Sequence, residues 1–420
     1  MSAAGHRVVL TGIGVRAPGG HGAAGLWELL VSDRTATRTI TAFDPAPFRS
    51  RIAAEVDFDA EAEGFTARQR AEQDRATQLA IACTRDAVRD SGWDPVGGDP
   101  AEVAVSIGSA VGCTTSLEQD YRRVSGDGAS WLLDPAAAAA RLRDYQVPSS
   151  IARDVAREVG AGGPVALVST GCTSGLDAVG YGAELIRDGR ARIVVAGATD
   201  APISPITVAC FDAIAATSPN NADPAHAARP FDRRRDGFVL GEGAAVFVLE
   251  ERGSALRRGA VVHAEIAGFA GRCNAFHMTG LRPDGTELAW AIGAALREAG
   301  FPPVAYVNAH GSGTRQNDRH ETAALKRALG AAAHRIPVSS IKAKVGHSLG
   351  AIGAIEIAAC ALAMRHRTIP PTANYAEPDP ECDLDYVPGE PRPARLRAVL
   401  SIGSGFGGFQ SAVVLTEAAG

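Results

Sequence analysis

Residues 166–182 read ALVSTGCTSGLDAVGYG. An apolar run, ALVST, leads into Gly171 and Cys172, and a stretch with helical spacing follows. The pattern is a strand, a tight turn carrying a nucleophile, and a helix, with the mechanics of the nucleophile elbow of hydrolases. The helix start offers free N–H groups and a partial positive charge. Both predict a lowered thiol pKa and a raised thiolate fraction at Cys172.

The same alternation extends outward along the chain. RVVLTGIGV, VAVSIGS, PVALVST and RIVVAGATD read as buried strands. RATQLAIACTRDAVRDSG and SGLDAVGYGAELIRDG read as helices that end at glycine. Strands alternating with helices predict a mostly parallel α/β sheet. The polar stretch 218–237 reads as a long surface loop, and its segment RPFDRRRDGF as solvated and ion-paired.

The second half of the chain repeats the first. VVLTGIGV near 10 matches HAEIAGFAG near 265, and VAVSIGSAVG (103–112) matches AYVNAHGSGT (305–314). GCTSG (171–175) matches GHSLG (346–350), and VVAGATD near 197 matches VLSIGSGFGG near 404. The halves divide as 1–253 and 254–420. The duplication sets His347 opposite Cys172, each at the start of a helix that follows a strand, while His310 ends another strand. Packing about a pseudo-twofold axis lets all three side chains converge at strand ends, where open α/β sheets collect ligands. A helix start disfavours imidazolium, so His347 is expected to be neutral.

The C-terminal VLSIGSGFGGFQSAVVL reads as a strand, a Gly-rich turn and a second strand. The turn reads either as a plain hairpin or as a donor loop whose Phe406 N–H pairs with that of Cys172 as an oxyanion hole. Only three of 42 basic residues are lysines, Lys326, Lys342 and Lys344. In such an arginine-rich chain a retained lysine reads either as chance on a surface or as a place where a compact point charge with a movable pKa is wanted. The six cysteines other than Cys172 read as small buried hydrophobes, and His6, His21, His226 and His334 as solvated.

Other classes lack support. A net charge of −5 gives no electrostatic case for nucleic acid. The lack of a run of 18 or more apolar residues argues against a membrane span. The opening MSAAGHRVVLTG has no leader-like pattern, so a cytoplasmic protein is expected. The seven cysteines form no CxxC pair, no His/Cys cluster has zinc spacing, and there is no Walker A sequence, so no metal, disulfide framework or nucleotide site is expected.

STGCTSGLDAVGYG, NAHGSGTRQNDRHET, SSIKAKVGHSLGAIG and SIGSGFGGFQS together resemble the β-ketoacyl synthases of the thiolase superfamily. More narrowly, CFDAI, RPFD, CDLDYVP and GSGTRQND resemble KSα, the catalytic ketosynthase subunit of bacterial type II aromatic polyketide synthases. The likeness spans essentially the whole chain. It implies a duplicated thiolase-like α/β fold, layered α-β-α-β-α with two mixed five-stranded sheets. It implies iterative decarboxylative condensation of malonyl units onto a chain held by Cys172, building a poly-β-ketone. His310 and His347 would hydrogen-bond the malonyl thioester and support decarboxylation. Lys342 would organise them with Glu321 and Glu356. Thr279, Ser312 and Thr314 would hold the phosphopantetheine arm, and Phe406 would gate the acyl pocket. Lys344 departs from the family's apolar residue, and its role is left open. No cofactor is implied beyond the carrier protein's arm. The implied partners are an acyl carrier protein and a chain-length factor, KSβ, as a heterodimer joined through the PVALVST strand. Competing readings are a fatty-acid ketosynthase and the noncatalytic chain-length factor itself, which lacks the cysteine. A thiolase is disfavoured because SGFGG carries no second cysteine. A cysteine hydrolase is opposed only by the whole-chain likeness.

Overall fold

A computed structural model describes residues 6–130 and 134–418. The first five residues of the opening stretch read above lie outside the described residues. In the first half, β1 (Val8–Ala17), α1 (Arg75–Ser91), β2 (Val103–Gly108), β3 (Val165–Val168), α2 (Ser174–Arg187), β4 (Ile193–Asp200) and β5 (Gly243–Glu251) follow in order. In the second half come β6 (Ala264–Cys273), α3 (Thr286–Glu298), β7 (Tyr306–Asn308), α4 (Arg315–Leu329), β8 (Val338–Ser339), α5 (Ile352–His366), β9 (Ala398–Ser404) and β10 (Phe409–Thr416).

The strand orders are β3-β2-β4-β5-β1 and β8-β7-β9-β10-β6, one pattern used twice. In each half the first two pairings are parallel and the last two antiparallel. The two five-stranded units are not separate sheets. They join edge to edge where β1 meets β6, through Val9 opposite Glu265 and Leu10 opposite Ala264. α1 packs on the outer face of the first unit and α3 on that of the second, while α2 and α5 lie between the units.

The sequence explains the middle layer. α2 and α5 touch at their first turns, and only glycine fits there. A methyl on Gly175 would stand 2.5 Å from the Ala354 amide nitrogen, and one on Gly353 would stand 2.8 Å from that of Leu176. α5 is buried on every side through Met364. The segment Leu349–His366 is apolar and long enough to cross a bilayer, but 89% of it is buried inside the protein. All-round hydrophobicity here marks a helix between two sheets.

Three local expectations need correction. PVALVST forms a sheet edge, not a fully buried strand; Val165 is 43% exposed and its neighbours are half-buried. The 218–237 segment is not wholly a surface loop. Phe231, Asp232 and Arg235 are fully buried, with Arg235 donating to Asp379 at 2.7 Å and lying 3.4 Å from Asp318. The Arg235 pairs sit inside the protein where Phe231 stacks on Tyr386, while Arg234 pairs with Glu377 at the surface. Cys83, Cys113, Cys360 and Cys382 are buried as expected, whereas Cys210 and Cys273 are exposed.

Candidate active site

The strand-end turns of both halves meet in one pocket. Cys172, His310 and His347 line it together with Ser312, Thr314, Thr279 and Phe406, all named from the sequence. The pocket has two kinds of wall. Phe211, Phe238 and Leu349 are apolar; Gln316 and Asn317, at the start of α4, extend the polar side. A second groove outside it shares Thr279, Thr314, Gln316 and Phe406.

Cys172 sits two residues before α2, as the turn pattern requires. Its surroundings are well bonded. Asp177, on the first turn of α2, accepts from Thr170 at 2.5 Å, Thr173 at 2.8 Å and Ser411 at 2.5 Å. Gly405 brings the C-terminal turn against this one. A methyl there would stand 2.9 Å from the Thr170 oxygen and 3.1 Å from the Cys172 nitrogen. The Phe406 backbone is thereby brought to the Cys172 turn, where it pulls the thiol down.

The thiol does not behave as its helix-start position predicts. Burial pushes it up to about 11, against the pull of Lys342 and the Phe406 N–H, with Asp200 and Glu356 pushing the same way as burial. Desolvation of a thiolate outweighs the nearby Lys342 charge and the Phe406 N–H here. The sequence shows the turn but not the depth at which it lies.

His310 and His347 are both buried, and their rings meet edge to face with centroids 5.3 Å apart. Burial first, then the Lys342 charge, holds both far below the ordinary histidine range, so both are neutral. The Nδ1 atom of each is buried without a protein partner. His347 is not at a helix start. Its N–H donates to Val239 O at 2.8 Å and its carbonyl accepts from Gly241 at 2.9 Å, and a short 3-10 turn separates it from α5. Its neutrality therefore comes from burial and Lys342, not from a helix end.

Glu321, Lys342 and Glu356 gather behind His310. Glu321 accepts from the N–H of His310 at 2.5 Å and of Gly311 at 2.8 Å. Lys342 donates to the His310 carbonyl at 2.5 Å and pairs with Glu356. Burial raises the Glu321 carboxyl to about 8 and that of Glu356 to about 7. Ser312 and Thr314 hydroxyls lie 3.0 Å apart, and Thr314 also caps α4. Lys344 points away from this network. Its ammonium donates to the carbonyls of Ser32 and Arg34, tying down the loop after residue 31.

Asp200 is a residue the sequence reading passed over. Fully buried at the end of β4, it accepts from Ser109 Oγ at 2.7 Å, Ala110 N at 2.9 Å and Gly350 N at 2.7 Å. It binds the strand-end loop of one half to the GHSLG turn of the other. The available signal is the single carboxylate closing the apolar run IVVAGATD.

Comparisons with known proteins agree on one family. Residues 5–255 match the β-ketoacyl synthase N-terminal domain and residues 263–376 the β-ketoacyl synthase C-terminal domain. The chain is 68% identical over 413 residues to the tetracenomycin polyketide synthase ketoacyl synthase alpha subunit of Streptomyces glaucescens, covering 98% of this chain and 97% of that one. It is 61% identical over 414 residues to the actinorhodin polyketide putative beta-ketoacyl synthase 1 of Streptomyces coelicolor, covering 98% and 89%. Among solved structures, it is similar to a chain from a type II polyketide acyl-carrier protein in complex with its ketosynthase bound to the hexaketide. That match has a TM-score of 0.92 at 35% identity, covering 99% of this chain and 100% of the other. The ishigamide ketosynthase/chain length factor matches with a TM-score of 0.91 at 33% identity, covering 99% and 100%.

Proposed function

The chain belongs to the β-ketoacyl synthase family, and from that premise we propose how its residues build a polyketide as a ketosynthase α subunit. It is a condensing acyltransferase of type II polyketide biosynthesis. The observation that carries the residue roles is the meeting in one pocket of a cysteine turn and two neutral imidazoles, each with an unpartnered Nδ1.

The reaction divides between the two halves. The Cys172 sulfur attacks an acyl thioester on a carrier protein; the carrier's sulfur leaves with the thiol proton, and the acyl group stays on Cys172. A malonyl thioester then enters along Thr279, Ser312 and Thr314. Its C–C bond to the carboxylate breaks, CO₂ departs, and the electron pair moves onto the thioester oxygen. His310 and His347, being neutral, donate to that oxygen without adding a competing charge. The resulting carbanion attacks the acyl-Cys172 carbonyl. The N–H groups of Cys172 and Phe406 receive the oxyanion, and collapse expels the Cys172 thiolate, which takes a proton from water to restore the thiol. A preorganised oxyanion donor contributes roughly 3–4 kcal/mol to such a step. Lys342, Glu321 and Glu356 act on the backbone and charge around His310 rather than on the substrate. The protein's own groups supply the chemistry in this reading, with no further cofactor.

The partners follow from the same reading. The apolar edge strand β3 pairs with its counterpart in a chain-length factor, giving a heterodimer, and an acyl carrier protein delivers both thioesters. A long exposed apolar edge left unpaired invites aggregation. A cytoplasmic location accompanies this function. The test is incubation of the co-expressed pair with malonyl carrier protein, followed by mass analysis of Cys172 and of released product. A poly-β-ketone from the pair and acyl-Cys172 on this chain are expected; complete synthesis by this chain alone refutes the heterodimer.

A further inference from the structure

Ser404 lines the pocket and is nearly buried, yet the condensation as described leaves it idle. It closes β9 directly opposite Gln410 on β10, and its hydroxyl lies 2.7 Å from Gln410 Oε1. Behind Gln410 stands His320 on α4, fully buried, with Nε2 at 3.4 Å from the same oxygen. The Nδ1 of His320 lies 2.6 Å from Arg282 O.

Hydrogen counting fixes the direction of this chain. A carbonyl only accepts, so His320 Nδ1 carries the ring hydrogen. With its oxygen facing His320 and Ser404, Gln410 leaves Nε2 buried without a partner. A half-turn of the amide cures this, since the two ends have nearly the same shape. The NH₂ then lies beside His320 Nε2 and donates to Ser404 Oγ. The turned oxygen is left short of a donor, which buried carbonyls tolerate better than buried N–H groups do. Ser404 becomes an acceptor from Gln410, and its own hydrogen is released toward the pocket.

We infer that the chain His320–Gln410–Ser404 presents the Ser404 hydroxyl as a hydrogen-bond donor to a carbonyl oxygen of the incoming extender thioester. This rests on the ketosynthase reading. The extender is singled out because the chain backs onto α4, whose first residues Gln316 and Asn317 form the polar wall with Ser312 and Thr314. The apolar wall of Phe211, Phe238 and Leu349 belongs to other elements. Ser404 is a binding residue here; Gln410 and His320 are positioning residues acting through it.

The experiment is a double-mutant cycle on the intact enzyme with its partner, reading CO₂ release from malonyl carrier protein. Ser404→Ala should raise KM about fivefold with little change in kcat, the size of one neutral hydrogen bond. Gln410→Met should do the same, and the double variant should be no worse than either alone. A purely structural role predicts additive losses and a matching fall in Tm. An unchanged KM in Ser404→Ala, or additivity in the cycle, overturns the inference. If Gln410→Met fails to fold, Ser404→Ala alone decides. Wild-type enzyme that releases no CO₂ overturns the ketosynthase reading itself, whereas an active wild type with an indifferent Ser404→Ala variant overturns the inference only.

Discussion

The turns that follow β3 and β8 hold the same place in the two halves and are finished in opposite ways. Around Cys172 the hydroxyls are used up: Thr170 and Thr173 bond Asp177, and Ser174 donates to Gly171 O at 2.6 Å. Around His347 the backbone is pinned, but His347 Nδ1 and Ser348 Oγ are buried without partners, as is His310 Nδ1 nearby. An unpaired buried polar group costs about 1–3 kcal/mol. The Cys172 turn has its hydroxyls bonded and fixes the point of covalent attachment. The histidine side brings to the pocket two imidazoles whose Nδ1 atoms are unpartnered.

The sharpest break in this comparison is to remove each centre in turn. Cys172→Ala should abolish chain extension, by about a thousandfold or more, while decarboxylation persists on the histidine side. His310→Ala should lower decarboxylation by about a hundredfold while acyl-Cys172 still forms. Product analysis, CO₂ release and intact-protein mass read the two steps separately. Full decarboxylation by His310→Ala would show that the labour is not divided.

A second break attacks the closed Cys172 turn through the backbone that packs on it from the other half. Gly405→Ala drives a methyl into the Thr170 oxygen and the Cys172 nitrogen, so the oxyanion donors must part. Single-turnover acylation of Cys172 should slow by about tenfold or more. An unaltered rate would remove the Phe406 N–H from the proposed hole.

Thiol labelling sharpens the same contrast more gently. With Cys172 held near 11, iodoacetamide at neutral pH should reach exposed Cys210 and Cys273 first. Cys172 labelling should climb steadily with pH. Peptide mapping across a pH series checks both, and selective labelling of Cys172 at neutral pH would contradict the burial argument.

The smallest expected effect lies under His310. Burial raises Glu321 to about 8, so the folded protein keeps a proton that the unfolded chain gives up in the ordinary carboxylate range. This contribution is complete below that range and is lost as pH rises through about 8. Glu321→Gln should therefore flatten the fall of Tm between about pH 5 and pH 8. An identical slope in wild type and variant would show that Glu321 is already ionised in the folded state.

The sequence made the duplication legible because each strand end carries its own signature, GCTSG against GHSLG and IGSAVG against AHGSGT. Those signatures led to Cys172, His310 and His347, since a nucleophile or imidazole beside glycine is locally conspicuous. Depth was not legible. The direction of the Cys172 thiol shift, the burial of Arg235 and the exposure of Cys210 depend on elements far away in the chain. Asp200 and Ser404 escaped for a related reason. Their partners, Gly350 and Gln410, become neighbours only once the halves pack or the last hairpin closes.

The crossing of α2 and α5 at Gly175 and Gly353 has a consequence during synthesis. The ribosome delivers Gly175 long before Gly353, and until α5 arrives the inner face of α2 has nothing to cover it. Asp200 likewise waits for the Gly350 N–H. The nascent first half is thus an incomplete body with an apolar face, the kind of species that aggregates or occupies chaperones. Its cysteine turn cannot settle into its working form until translation has passed α5, so a chain that stalls early carries no ready-made reactive centre.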